Sequence, residues 1–177
     1  MTLQRLRVRY RVNTLRASLT PKSAERGEEA TVDRVAQCHC GSLRAHVSGD
    51  TPRINICHCQ ACQRRTGSLF HAGAIYSKSQ VRIEGDRKPY ASPADSGRMV
   101  TFYFCPTCGT NLYYEPEMLP DHVGIPIGTF ADPTFPEPKA SVWEESRHSW
   151  ICVPEATQRF QQSRADPTAI ITQAPRT

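Results

Sequence analysis

The sequence predicts a mainly β protein, and three observations carry that expectation. From Val32 onward, short apolar runs are separated by Gly and Pro, and the chain holds 14 prolines. Nowhere does a long stretch repeat with the period of an amphipathic helix. In MVTFYF (99–104), Val100, Phe102 and Phe104 fall on one face and Thr101 and Tyr103 on the other, which is the period of a half-buried strand.

Residues 1–32 carry seven Arg/Lys against three Glu and contain a polar, breaker-rich stretch. They read as a basic, disordered N-terminal arm. An Arg-rich presequence is an alternative, because the first acidic residue is Glu25, and an upstream start assignment is another. Strands are then expected at SLRAHV (42–47), RINI (53–56), SLFHAGAIY (68–76) and QVRIEG (80–85). The series continues through MVTFYF, NLYYE (111–115), HVGIPIGTF (122–130) and ASVW (140–143). Residues 33–160 read as one domain, and 161–177 as a disordered tail.

Of 177 residues, 38% are hydrophobic and 22% charged, values of a soluble globular chain. No apolar run is long enough to span a bilayer, so no membrane association is expected. An N-terminal secretory core is lacking too, and the expected location is cytoplasmic. Beyond residue 32 the charges nearly cancel, with 15 Arg/Lys against 14 Asp/Glu. Nucleic-acid binding needs a clustered basic face, so none is expected.

Eight cysteines stand at 38, 40, 57, 59, 62, 105, 108 and 152, mostly in CxC and CxxC groups. In a chain without an export sequence, such groups point to metal rather than disulfides. CHCG (38–41) and CPTCG (105–109) are two-cysteine knuckles. Each has a following glycine that lets the turn aim backbone N–H groups at sulfur. Cys38, Cys40, Cys105 and Cys108 together make a four-thiolate structural zinc site, with iron the lesser possibility.

Cys57, Cys59 and Cys62 make three ligands, which is how catalytic zinc with an open position differs from structural zinc. Three thiolates outweigh the charge of a divalent ion and blunt its Lewis acidity. Such a site suits holding a thiolate substrate better than splitting water. Cys152 could close the site, but a lone cysteine is more often a small buried hydrophobe. His39 and His58 each sit between two cysteines, where extended backbone sends the imidazole to the opposite side. His71 reads as a core or surface histidine, and His122 and His148 carry no motif. Arg64 and Arg65 follow the triplet as either solvated turn residues or a clamp for a substrate carboxylate. Gly67 closes their turn.

The motifs CHCG, CHCQACQRRTGS and FYFCPTCGTNLYY resemble the CENP-V/GFA family, named for glutathione-dependent formaldehyde-activating enzymes. VGIPIGTFADPTFPEP and the Trp of SW (149–150) are similar to its C-terminal pattern, and the likeness covers roughly residues 33–160. The resemblance implies an Mss4-like fold of small antiparallel sheets organised around zinc. It implies two zinc ions per chain, one on Cys38, Cys40, Cys105 and Cys108, the other on Cys57, Cys59 and Cys62. The implied activity is a carbon–sulfur lyase that joins formaldehyde to glutathione as S-hydroxymethylglutathione. The partners are then a small thiol and a small aldehyde, with the triplet as catalytic centre. Residues 1–32 have no counterpart in that pattern, and no glutathione pocket is visible in the sequence. A non-catalytic zinc-stabilised binding module with the same fold is the alternative, and a thiol redox protein a third.

Overall fold

The computed structural model describes residues 32–164. The expectations of a basic arm and of the distal tail fall on 1–31 and 165–177, outside the described residues. Eleven strands form two sheets among the described residues. The smaller is antiparallel, ordered β1 (Asp33–Gln37), β2 (Arg44–Ser48) and β5 (Val81–Glu84).

The larger sheet runs β11 (Gln158–Arg159), β10 (Ala140–Val142), β3 (Ile54–Cys57), β4 (His71–Ser77), β9 (His122–Pro126), β8 (Asn111–Pro116), β7 (Met99–Phe104) and β6 (Lys88–Pro93). Most of its pairs are antiparallel, but β10 lies parallel to both β3 and β11. The mainly β expectation holds. One sheet is wide and mixed rather than small and antiparallel.

Alternation places the core. Along β2, Ala45 and Val47 turn inward while Arg44 and Ser48 face water. Ala36, Leu43, Ala45 and Val47 from the small sheet share one buried cluster with Ile54, Ala74, Tyr76, Leu112, Val123 and Ile125 from the large one. A smaller cluster of Ala140, Val142 and Phe160 packs against Cys57 and Trp143.

Several expected strands shift at their ends. The 68–76 run starts only at His71, and the 122–130 run turns into a 3-10 turn over Ile127–Phe130. β6 carries Pro89 and Pro93, which a strand tolerates at a sheet edge where its missing N–H is not needed. Beyond Phe160 the chain keeps bonding to the body: Trp143 N–H donates to Gln162 O at 3.1 Å.

Candidate metal centres

Both knuckles are hairpin turns. Residues 38–43 join β1 to β2, and 105–110 join β7 to β8. Gly41 (φ 78°) and Gly109 (φ 72°) supply the left-handed backbone each turn needs. Gly109 N–H donates to Cys105 O at 2.9 Å, and Cys105 N–H to Thr110 O at 2.9 Å. The four sulfurs of Cys38, Cys40, Cys105 and Cys108 lie within 4.8 Å of one another. One thiol pair comes from each sheet, so the cluster clasps the two sheets together.

Leu43 N–H points at Cys38 Sγ from 3.3 Å, and Ser42 Oγ lies 3.1 Å from Cys40 Sγ and 3.3 Å from Cys105 Sγ. The Cys108 thiol is pulled down to about 5, first by the Thr110 hydroxyl and then by the Thr110 backbone. A pocket of converging thiols with donors aimed at sulfur is what thiolates on a metal require. These residues fit a zinc ion.

The triplet sits where β3 ends and a short helix, α1 (Gln60–Thr66), begins. Cys57, Cys59 and Cys62 also bring their sulfurs within 4.8 Å of one another. Cys59 is the helix N-cap, its Sγ accepting from Cys62 N–H at 3.3 Å, and Gly67 (φ 66°) closes the other end onto Gln63 O. The CxxC spacing is thus the first turn of α1. Hydrogen bonds from the Cys57 and Cys62 thiols, then from backbone N–H groups, pull the Cys59 thiol down to about 2. The bond to Cys59, the one to Cys62, and burial push Cys57 up. A divalent cation bound by all three sulfurs would displace the protons that these thiols keep. The donor set fits zinc here as well.

Helical spacing separates the two arginines. Gln60, Gln63 and Arg64 share the outer face of α1, where they line a cleft of about 450 Å³ with Glu145, Ser146 and His148. Arg65 turns inward. Its guanidinium lies 4.3 Å from the Phe102 ring centroid, donates to Asn111 Oδ1, and sets Nη2 3.9 Å from Cys62 Sγ. Asn111 is fixed in turn by donating to Tyr103 O and Tyr113 O.

His58 does point away from the sulfurs. It is fully buried, and its Nε2 meets Ser141 Oγ at 3.1 Å. Ser141 donates onward to Glu144, which also accepts from Arg147 Nε at 2.8 Å. The Ser141 proton is therefore committed, and the imidazole donates from Nε2. Burial holds the His58 imidazole below its ordinary range. Burial opposes ionisation of Glu144, but the Ser141 and Arg147 bonds hold its carboxyl low.

His71 is buried, and burial followed by the charge of Arg65 brings its imidazole down to about 3. His39 is exposed, while His122 meets Arg53 and His148 meets Gln63, each at 3.3 Å. Cys152 corrects the sequence reading: it is exposed rather than buried and belongs to neither thiol cluster. The chain leaves the parallel edge at Trp143 and runs through surface turns, so position 152 never enters a core. All eight cysteines are free thiols. Phe102, Asn111 and Tyr114 were missed as neighbours of the triplet, for their approach depends on how β7 and β8 pair.

A family model described as glutathione-dependent formaldehyde-activating enzyme matches residues 33–146, which include both thiol clusters. The chain belongs to this family. Curated relatives match it over shorter stretches. An "uncharacterized lyase" of Schizosaccharomyces pombe is 30% identical over 77 residues, covering 44% of this chain and 53% of that protein. A Colletotrichum graminicola protein named for the same family is 27% identical over 79 residues, covering 44% of this chain and 41% of the other. The chain thus spans about half the length of the curated relatives it matches. A crystal structure of a Rhodobacter sphaeroides protein aligns with TM-score 0.44 and 23% identity, over 54% of this chain and 85% of that one. No helix among the described residues is long and apolar enough to cross a membrane.

Proposed function

We propose that the protein is a zinc-dependent carbon–sulfur lyase that joins glutathione to formaldehyde, with two zinc ions per chain. One observation carries the reading: the Cys57, Cys59 and Cys62 sulfurs converge without a fourth histidine, cysteine or carboxylate among the described residues. A closed structural site would bring its own fourth ligand. Zinc at the triplet would accept a substrate thiol and lower its pKa. Membership of the formaldehyde-activating family supports the choice of thiol and aldehyde.

The chain's own residues supply the rest. The substrate sulfur adds to the carbonyl carbon: a carbon–sulfur bond forms, the carbonyl π bond breaks, and the oxygen takes a proton. Holding the two reactants together supplies much of the rate. Arg65 braces Cys62 and is occupied by Phe102 and Asn111. Arg64 lines the cleft on the outer face of α1 and is not held by Phe102 and Asn111, which supports it over Arg65 as the partner of a glutathione carboxylate. Eight free thiols suit a reducing, cytoplasmic setting.

Exchange NMR with labelled formaldehyde tests the reading. The zinc-loaded protein should speed formation of S-hydroxymethylglutathione beyond the spontaneous background. If neither this nor any other thiol–aldehyde adduct is accelerated, the non-catalytic binding module takes its place.

A further inference from the structure

Beside the triplet lie two polar atoms that the proposed reaction has not yet used. His71 is 6% exposed, and its Nε2 has no hydrogen-bond partner. Such a nitrogen is uncommon in a native fold and calls for a partner that arrives later. Tyr114 presents its ring edge-on to that imidazole, with centroids 5.4 Å apart at 72°.

Two glycines make room for these side chains. A β-carbon on Gly124 would lie 2.0 Å from Tyr114 Cζ, so only glycine lets the tyrosine cross β9. A β-carbon on Gly73 would lie 2.7 Å from His71 Nε2 and 2.8 Å from the Tyr114 hydroxyl. The two polar atoms therefore converge over Gly73. His71 is also the cross-strand partner of Cys57, and directly opposed residues project from the same sheet face. The pair therefore lies on the same face of the sheet as the Cys57 side chain.

We propose that the Tyr114 hydroxyl and His71 Nε2 form an oxygen-binding subsite for the small carbonyl substrate. The inference rests on the reading of the triplet as a thiol–aldehyde site. Tyr114 donates a hydrogen bond to the carbonyl oxygen, which becomes an alkoxide as the sulfur attacks. The alkoxide takes its proton from solvent. In the adduct, the new hydroxyl accepts from Tyr114 and donates to His71 Nε2, giving that nitrogen the partner it lacks. The Tyr114 bond strengthens as charge develops on the carbonyl oxygen, which is the differential binding that accelerates a step, and His71 then helps to hold the product hydroxyl.

Calorimetric titration of the zinc-loaded protein tests this without relying on turnover. The two ligands are S-hydroxymethylglutathione, maintained with excess formaldehyde, and S-ethylglutathione, which replaces the hydroxyl by a methyl. Wild type should prefer the hydroxymethyl compound by roughly 30-fold, the value of two ordinary hydrogen bonds. Tyr114→Phe should cut that preference by about 5-fold, keep its affinity for S-ethylglutathione, and slow formaldehyde capture by about 100-fold. Gly73→Ala, which displaces both polar atoms without deleting either, should lose the preference. A variant pair that retains the full preference overturns the subsite. So does a wild type that accelerates capture yet binds both ligands equally, and the lyase reading then stands alone. If wild type binds neither ligand and accelerates nothing, that reading falls and the subsite falls with it.

Discussion

Gly124 on β9 lies under the ring of Tyr114 on β8, at the one register position where the two strands pair. A methyl at 124 would sit 2.0–2.5 Å from three ring atoms, and the ring is flanked by Phe102 on one side and His71 on another. Gly124→Ala should therefore destabilise the fold by about 1–3 kcal/mol through overpacking. Adding Tyr114→Ala should remove most of that cost, because the two residues share one space. Urea denaturation of the two single variants and the double variant measures the coupling. Additive losses would mean the ring does not lie over residue 124.

The residues of both clusters were legible because metal ligation is written in local spacing. Turns of the form CxC and CxxC bring the sulfurs within each turn together, while the meeting of the 38/40 and 105/108 pairs depends on how the two sheets pack. The cooperation of Phe102, Asn111 and Arg65 was not legible, because it needs the β7–β8 register and a helix docked on it. Strand β6 stayed hidden behind Pro89 and Pro93, which argue against a central strand but not against an edge. Cys152 was misread for a related reason. Its own burial is decided by the path of the loop after β10, and nothing local encodes that path.

The two clusters should differ in what they support. Cys38 and Cys105 are each 1% exposed and tie the small sheet to the large one, whereas the triplet hangs on a seven-residue helix with no buried residue. Structural zinc can contribute about 10–16 kcal/mol, more than most domains' net stability. Cys105→Ser should unfold or insolubilise the protein. Cys59→Ser should stay folded and lose one metal. Elemental analysis should find two zinc ions in wild type and one in Cys59→Ser, and thermal melts should separate the variants. Equal damage from both substitutions would contradict the division of roles.

Arg64 and Arg65 should also part ways. Removing the Arg65 guanidinium takes a positive charge from beside Cys62 and frees Asn111 and Phe102. Groups behind metal ligands typically account for about 10–100-fold in affinity. Arg65→Ala should weaken metal binding at the triplet within that range, as read by competition with a chromophoric chelator. Arg64→Ala should leave metal affinity unchanged and weaken glutathione binding several-fold, about 1 kcal/mol for an exposed carboxylate pair. The reverse pattern would place the carboxylate on Arg65 instead.

Acid should destabilise the fold through its buried histidines. Unfolded, His58 and His71 protonate near an ordinary pKa of about 6.5. Folded, burial holds both lower, His71 down to about 3. The unfolded chain thus binds more protons below about pH 6.5, and the histidines' contribution, complete above that value, falls away as pH drops toward the folded pKa values. By pH 5 each can cost up to about 2 kcal/mol, if its folded pKa lies below that pH. His58 is the cleaner probe, because it bonds to Ser141 and stands off the sulfurs. In His58→Gln, an amide that does not titrate can still reach Ser141. Denaturation midpoints of wild type and variant at pH 7 and pH 5 isolate its share, since acid loss of metal from the thiols is common to both proteins. The variant should lose less stability over that interval, by up to about 2 kcal/mol. Equal losses would show that His58 titrates in the folded protein as it does in the unfolded chain.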